Sequence, residues 1–198
     1  MKKGIVCLLI AAAATAGLSG CGCSMSGQPK STEAPAAAKI EPTLFVYGEY
    51  ALMGGFSLYT SPDGAYSIQV PEGSIVNGAD PAATSVTLAG AFANPDTITI
   101  TKDMAPRMID STTALLELLK DDNSIDITGF FVLNRDGSYA GYKYTYTAMD
   151  DPQMKGITSV YLSSDGTAYN VTAKIYNGGD ETNVTAINTI VDTFANHS

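Results

Sequence analysis

The sequence predicts an α+β fold: one antiparallel sheet built of hairpins and covered by helices. Three observations carry the prediction. Apolar residues recur at every second position in several short runs, glycine-containing turn signals separate those runs, and two segments switch to a helical apolar period. Consecutive hairpins force antiparallel pairing, because a two-residue turn cannot bring a strand back parallel.

In chain order, residues 1–20 read as a leader. Lys2 and Lys3 give a cationic start, Ile5 to Leu18 an apolar stretch, and Leu18-Ser19-Gly20-Cys21 a small-residue cleavage site ending in a thiol. The apolar run is shorter than the roughly 20 residues that cross a bilayer, so cleavage is expected rather than a retained membrane helix. The segment resembles the lipobox of bacterial lipoproteins, in which the cysteine sulfur takes a diacylglyceryl group and a peptidase cuts just before it. That resemblance implies cleavage between Gly20 and Cys21, lipidation of Cys21, and anchoring in the bacterial cell envelope on the extracytoplasmic side. Anchoring of this kind takes more than one acyl chain, since each buried methylene contributes about 0.8 kcal/mol. Residues 21–43 carry no aromatic residue and no apolar period. They predict a flexible tether with a root-mean-square reach on the order of 25 Å.

Residues 44–198 are expected to form a single domain, near the usual size of one core. Leu44 to Met53 alternates weakly and suits either an extra strand or an ordered lead-in. Phe56 and Leu58, then Tyr66, Ile68 and Val70, alternate with polar residues on either side of Ser61-Pro62-Asp63-Gly64, where Gly64 supplies a positive φ. Val86 and Leu88, then Ile98 and Ile100 between Thr97, Thr99 and Thr101, repeat the half-buried pattern. Leu115, Leu116, Leu118 and Leu119 predict an amphipathic helix, with Asp110 or Ser111 as cap, Met108 or Ile109 as staple and Lys120 in the last turn. Ile127 to Leu133 reads as a central strand. Arg135-Asp136-Gly137-Ser138 turns it into Tyr139 to Thr147, and Asp165-Gly166 joins Ile157–Ser163 to Thr167–Tyr176. Val184, Ile187, Ile190, Val191 and Phe194 follow Asp180 at helical spacing. This segment is rich in β-branched residues and needs a sheet to dock on.

The opening Tyr59-Thr60-Ser61-Pro62-Asp63-Gly64-Ala65-Tyr66-Ser67-Ile68-Gln69-Val70-Pro71 is similar to the start of the PsbP-like family, named for an extrinsic photosystem II subunit and widespread in bacterial lipoproteins. Tyr169-Asn170-Val171-Thr172 and Ile190-Val191-Asp192-Thr193-Phe194 resemble its close, with Thr193 where serine is usual. Glu72-Gly73-Ser74 stands where the family commonly has an aromatic residue. The resemblance covers about residues 56–194 and implies a PsbP-like α/β/α sandwich in an envelope setting, with no inherited reaction.

The chain has a formal charge of −9, with 20 acidic and 11 basic residues, and loss of Lys2 and Lys3 with the leader makes it −11. Lys102, Arg107, Lys120, Arg135, Lys143, Lys155 and Lys174 are scattered, so no nucleic-acid partner is expected. Of the three cysteines, Cys7 leaves with the leader and Cys21 carries the lipid. Cys23 is then a tether thiol without redox or metal partners. The one histidine, His197, is the last residue but one, which leaves a Ser-His-Asp or Cys-His site without a base and zinc without a ligand set. No cofactor is predicted. The acids Asp121, Asp122, Asp126, Asp150, Asp151, Asp180 and Glu181 read as solvated turn residues, although Asp121, Asp122, Asn123 and Asp126 could together build a loop calcium site.

Tyr142, Tyr144 and Tyr146 stand on one strand face and form the candidate binding surface. An exposed stripe would dock an envelope glycan, a peptide or a protein partner, with help from Tyr161 or Tyr176. A covering helix would make it core instead. The expected function is a lipid-anchored, extracytoplasmic binding or accessory module. Its rivals are a carboxylate-dependent hydrolase of cell-envelope polymers and an assembly factor or subunit of a membrane complex.

Overall fold

The computed structural model describes residues 40–90, 94–104 and 112–197. Every described element belongs to one compact unit, Ala38–Ser198. The strands are β1 (Thr43–Val46), β2 (Phe56–Thr60), β3 (Tyr66–Pro71), β4 (Ile75–Asp80), β5 (Ala83–Thr87), β6 (Thr97–Met104), β7 (Ile125–Arg135), β8 (Ser138–Ala148), β9 (Lys155–Leu162), β10 (Thr167–Ile175) and β11 (Ala195–Asn196). The helices are α1 (Thr112–Lys120) and α2 (Glu181–Asp192). Gly20, Cys21 and Cys23, and with them the leader and cleavage site, lie outside the described residues. So do the expected cap and staple of the first helix.

Eight strands form one sheet in the order β1-β7-β8-β9-β10-β6-β5-β4, and β11-β3-β2 form a second. The expected hairpins are present. β7 pairs with β8 and β9 with β10, both antiparallel. Asp136 and Gly137, both at positive φ (52° and 83°), make the two-residue turn between β7 and β8. Gly64, at φ 69°, turns β2 into β3.

Two expectations need correction. The large sheet is mixed, because β1 lies parallel to β7, with Leu44 opposite Val132 and Phe45 opposite Leu133. The hairpin argument constrains only strands joined by tight turns, and β1 reaches β7 from far away in sequence. Nor do helices simply cover the sheet. The first hairpin, β2 and β3, leaves the large sheet, pairs with β11 and packs beside α2 on one face. β4 is an addition: its Asn77 and Gly78 disguise the alternation that pairing with β5 reveals.

The inner face of the large sheet holds the main core. Ile98, Ile100, Val171, Ala173, Ile175, Ile157 and Tyr161 meet Tyr66, Ile68 and Val70 of the second sheet, and Ile187, Ile190, Val191 and Phe194 from the end of the chain. Asp180 caps α2, its carboxylate accepting from the backbone N–H groups of Thr182 (3.0 Å) and Asn183 (3.2 Å). On the outer face α1 sets Leu115 and Leu116 against Ile127, Phe130 and Tyr146, while Leu118 stays 60% exposed. This second core covers only the β7–β8 end of that face.

Candidate functional site

Side chains on a strand alternate between faces, so residues 142, 144 and 146 of β8 share one face and residues 143 and 145 the other. Tyr142, Tyr144 and Tyr146 point outward. Their rings form a chain with Phe130 of β7: Phe130 to Tyr142 is 6.1 Å between centroids, Tyr142 to Tyr144 is 6.5 Å, and Tyr144 to Tyr146 is 5.9 Å. Burial is graded along the stripe. Tyr146, under α1, is 8% exposed, whereas Tyr142 and Tyr144 are half-buried. Gly156 sits opposite Tyr146 on β9, and a Cβ there would run into the Tyr146 ring. Burial pushes the Tyr142 phenol up to about 12, with Tyr144 adding to the effect. It raises Tyr144 and Tyr146 as well, and a hydrogen bond to Thr158 partly offsets the rise at Tyr144.

The stripe continues toward the sheet edge. Leu44 and Val46 of β1 are 64% and 72% exposed, and Leu44 lies beside Val132, which lies beside Tyr142. Phe45 of the same short strand, and Tyr47 just after it, turn inward to the main core. The outer face thus offers an aromatic and aliphatic patch open on the β1 side. Beyond β8 the face turns polar. From Tyr144 the cross-strand partners are Thr158, Thr172, Thr99, Ser85 and Asn77 in succession.

Tyr161 does not join the stripe. It pairs with Gly141, one residue out of phase with the tyrosines, so it faces inward, and its hydroxyl donates to the Val191 carbonyl at 3.0 Å. Tyr176 follows the end of β10, where its backbone N–H donates to Asp96.

The same parity carries Lys143 inward. Its ammonium, at 3% side-chain exposure, donates to Asp192 of α2 at 2.6 Å and lies 5.2 Å from the Phe45 ring centre. Burial lowers the Lys143 pKa and raises that of Asp192, and in both cases the partner's charge opposes the shift. Sequence reasoning missed this pair. The available signal was a lysine alternating with tyrosines in Tyr142-Lys143-Tyr144, which put it on the opposite face.

A cavity of about 190 Å³ lies between α2 and the second sheet, lined by Phe56, Leu88, Ile187 and Ile190 among others. Its one acid, Asp96, is occupied: it accepts from the Tyr176 backbone and from the Asn183 amide, both at 2.8 Å. Among the described residues lining it there is no second carboxylate. Among the described residues no group of three His, Cys, Asp or Glu side chains is placed to hold a metal ion. Asp122, of the loop weighed for calcium, accepts from the backbone and hydroxyl of Ser124. His197 meets Ser67 at 2.9 Å on the second sheet. Among the described residues no helix is long and apolar enough to cross a membrane.

No family model and no curated protein matches the chain. Solved structures do. A crystal structure from Bacteroides thetaiotaomicron VPI-5482 is 11% identical, over 74% of this chain and 50% of that one, with a TM-score of 0.42. The solution structure of cyanobacterial PsbP (CyanoP) from Synechocystis is 14% identical, over 73% of this chain and 94% of that one, with a TM-score of 0.50. At such identity the likeness concerns architecture alone, and the architecture of this chain is PsbP-like.

Proposed function

We propose that this protein is an exported, lipid-anchored binding or accessory module that meets its ligand or partner on the outer face around Tyr142 and Tyr144. The observation that carries the reading is the graded stripe. Tyr146 is locked beneath α1 while its two neighbours stay half-buried beside the exposed Leu44 and Val46. Contiguous apolar surface of this kind on a soluble domain marks a contact site more often than an accident of packing. Tyrosine suits the task, since it presents a rigid apolar ring with a polar tip. The anchor is supported by Lys2, Lys3, the apolar run and Leu18-Ser19-Gly20-Cys21.

Two measurements on the producing cells test it. Intact-mass analysis of membrane-extracted protein is expected to give a chain that starts at a diacylglyceryl-bearing Cys21, and Cys21→Ala is expected to move the protein to the soluble fraction. A chain that keeps Met1 unmodified refutes the anchor. Oxidative footprinting is expected to find Tyr142 and Tyr144 protected in cells relative to the purified protein. Equal labelling in both removes the docking face.

A further inference from the structure

Lys143 of β8 and Asp192 of α2 meet with both side chains out of water, at 3% and 7% exposure, and with Nζ 2.6 Å from Oδ1. Lys155 and Glu181 make a contact of nearly the same length, 2.5 Å, but there the carboxylate is 78% exposed and stays hydrated. On the inward face Lys143 stands between its cross-strand neighbours, Phe131 of β7 and Ser159 of β9. Its ammonium lies 5.2 Å from the Phe45 ring centre and 6.0 Å from that of Phe131. The Asn188 amide donates to the second carboxylate oxygen, Oδ2, at 3.4 Å. Ser159, beside Tyr161, is 0% exposed, and its hydroxyl oxygen has no hydrogen-bond partner among the described residues. A buried hydroxyl left unpaired calls for a role.

An ion pair in such a place is held at a cost, because both charges have lost their water. Burial lowers the Lys143 pKa and raises that of Asp192, which pushes each toward its neutral form. Passing one proton along the 2.6 Å hydrogen bond leaves an amine with a free lone pair against a carboxylic acid. Those are the two reactants of an amide bond. Held in one geometry, such partners react as if at an effective concentration of roughly 10⁵ M or more. The aromatic shell excludes the water that would hydrolyse the product, and an amide has no charge to desolvate.

We infer that Lys143 and Asp192 condense to an intramolecular isopeptide bond that staples α2 to β8. Nζ attacks Cγ and forms the C–N bond, while the Asn188 amide stabilises the charge that develops on Oδ2. The Ser159 hydroxyl relays the second Nζ proton to Oδ1. Oδ1 then leaves as water when its bond to Cγ breaks, so the chain loses one water and nothing is oxidised or reduced. Until that step the pair is ionic, and variants that remove its charges compare with the ionic form. The bond joins residues 49 apart in sequence and ties a helix rich in β-branched residues to its sheet.

Peptide mapping of the full chain, incubated folded and then denatured and digested with trypsin, is the test. Trypsin does not cut after an acylated lysine. The expected product is therefore a branched peptide joining Asp136–Lys155 to Ile175–Ser198, lighter than the two together by one water. Lys143→Arg keeps the positive charge but has no amine to acylate, and is expected to give unbranched peptides with no loss of water. Cleavage after Lys143 in the wild-type chain, without a branched peptide, overturns the inference. So does a branch that persists in Asp192→Ala, or a loss of water that maps to ring closure at Asp136-Gly137 and reacts with hydroxylamine. A bond between Lys155 and Glu181 in the same digest marks adventitious coupling and overturns it too. The wild-type digest decides by itself, so the outcome does not depend on a variant folding.

Discussion

Lys143 and Asp192 put two opposite charges in a buried position between the large sheet and α2, at 3% and 7% side-chain exposure. Each ion loses its water there, and the partner's charge, the 2.6 Å hydrogen bond, an amide donation from Asn188 to Asp192 at 3.4 Å and the nearby Phe45 and Phe131 rings offset that loss. The pair is therefore weak evidence for stability but sensitive to being halved. Lys143→Ala leaves the Asp192 carboxylate buried without a counter-charge, with an expected loss of about 3–5 kcal/mol in chemical denaturation. The double variant Lys143→Met, Asp192→Leu removes both charges at similar volume and is expected to recover most of that loss. If the double variant is as unstable as the single one, packing of the lysine stem, rather than charge, is what the site requires.

At the scale of elements, α2 depends on its docking more than on its own propensity. Thr182, Val184, Thr185, Ile187, Thr189, Ile190 and Val191 are β-branched and disfavour a solitary helix. Ile187, Ile190 and Val191 are buried against the sheet, and Asp180 closes the first turn. Asp180→Ala is expected to cost about 1 kcal/mol, read as a lower midpoint in thermal unfolding, while Asp180→Ser retains most of the stability. α1 plays the other part. It sets Leu115 and Leu116 against Tyr146, while Tyr142 and Tyr144 pack partly buried against the same cluster.

Across the whole molecule, tyrosine burial gives stability an alkaline limit. Tyr142 is raised from 10.0 to about 12 by burial, and Tyr66, Tyr144, Tyr146 and Tyr161 are raised for the same leading reason. Above pH 10 the unfolded chain releases phenolic protons that the folded chain still holds. The folded state then binds more protons, so the free energy of unfolding falls as the pH rises from 10 toward 12. A spectroscopic titration is expected to show part of the tyrosines ionising only together with loss of the near-ultraviolet dichroism of the fold. Independent, reversible ionisation of all 11 tyrosines in a folded chain would contradict this.

What depends on near neighbours was legible in the residues alone. Alternation placed Tyr142, Tyr144 and Tyr146 on one face, Asp136-Gly137 and Gly64 marked turns, and Asp180 marked the start of α2, because strand period, positive φ and capping act within a few residues. Sequence alone could not show which face the tyrosines occupy, what covers them, or that Tyr161 looks away from them. Those outcomes depend on register between strands distant in sequence and on where α1 and α2 come to rest. The same holds for the parallel β1 strand, for the second sheet that takes the first hairpin, and for Lys143 meeting Asp192 across 49 residues. These features came from packing, because a shared face or a buried charge pair exists only once separate segments have been brought against one another.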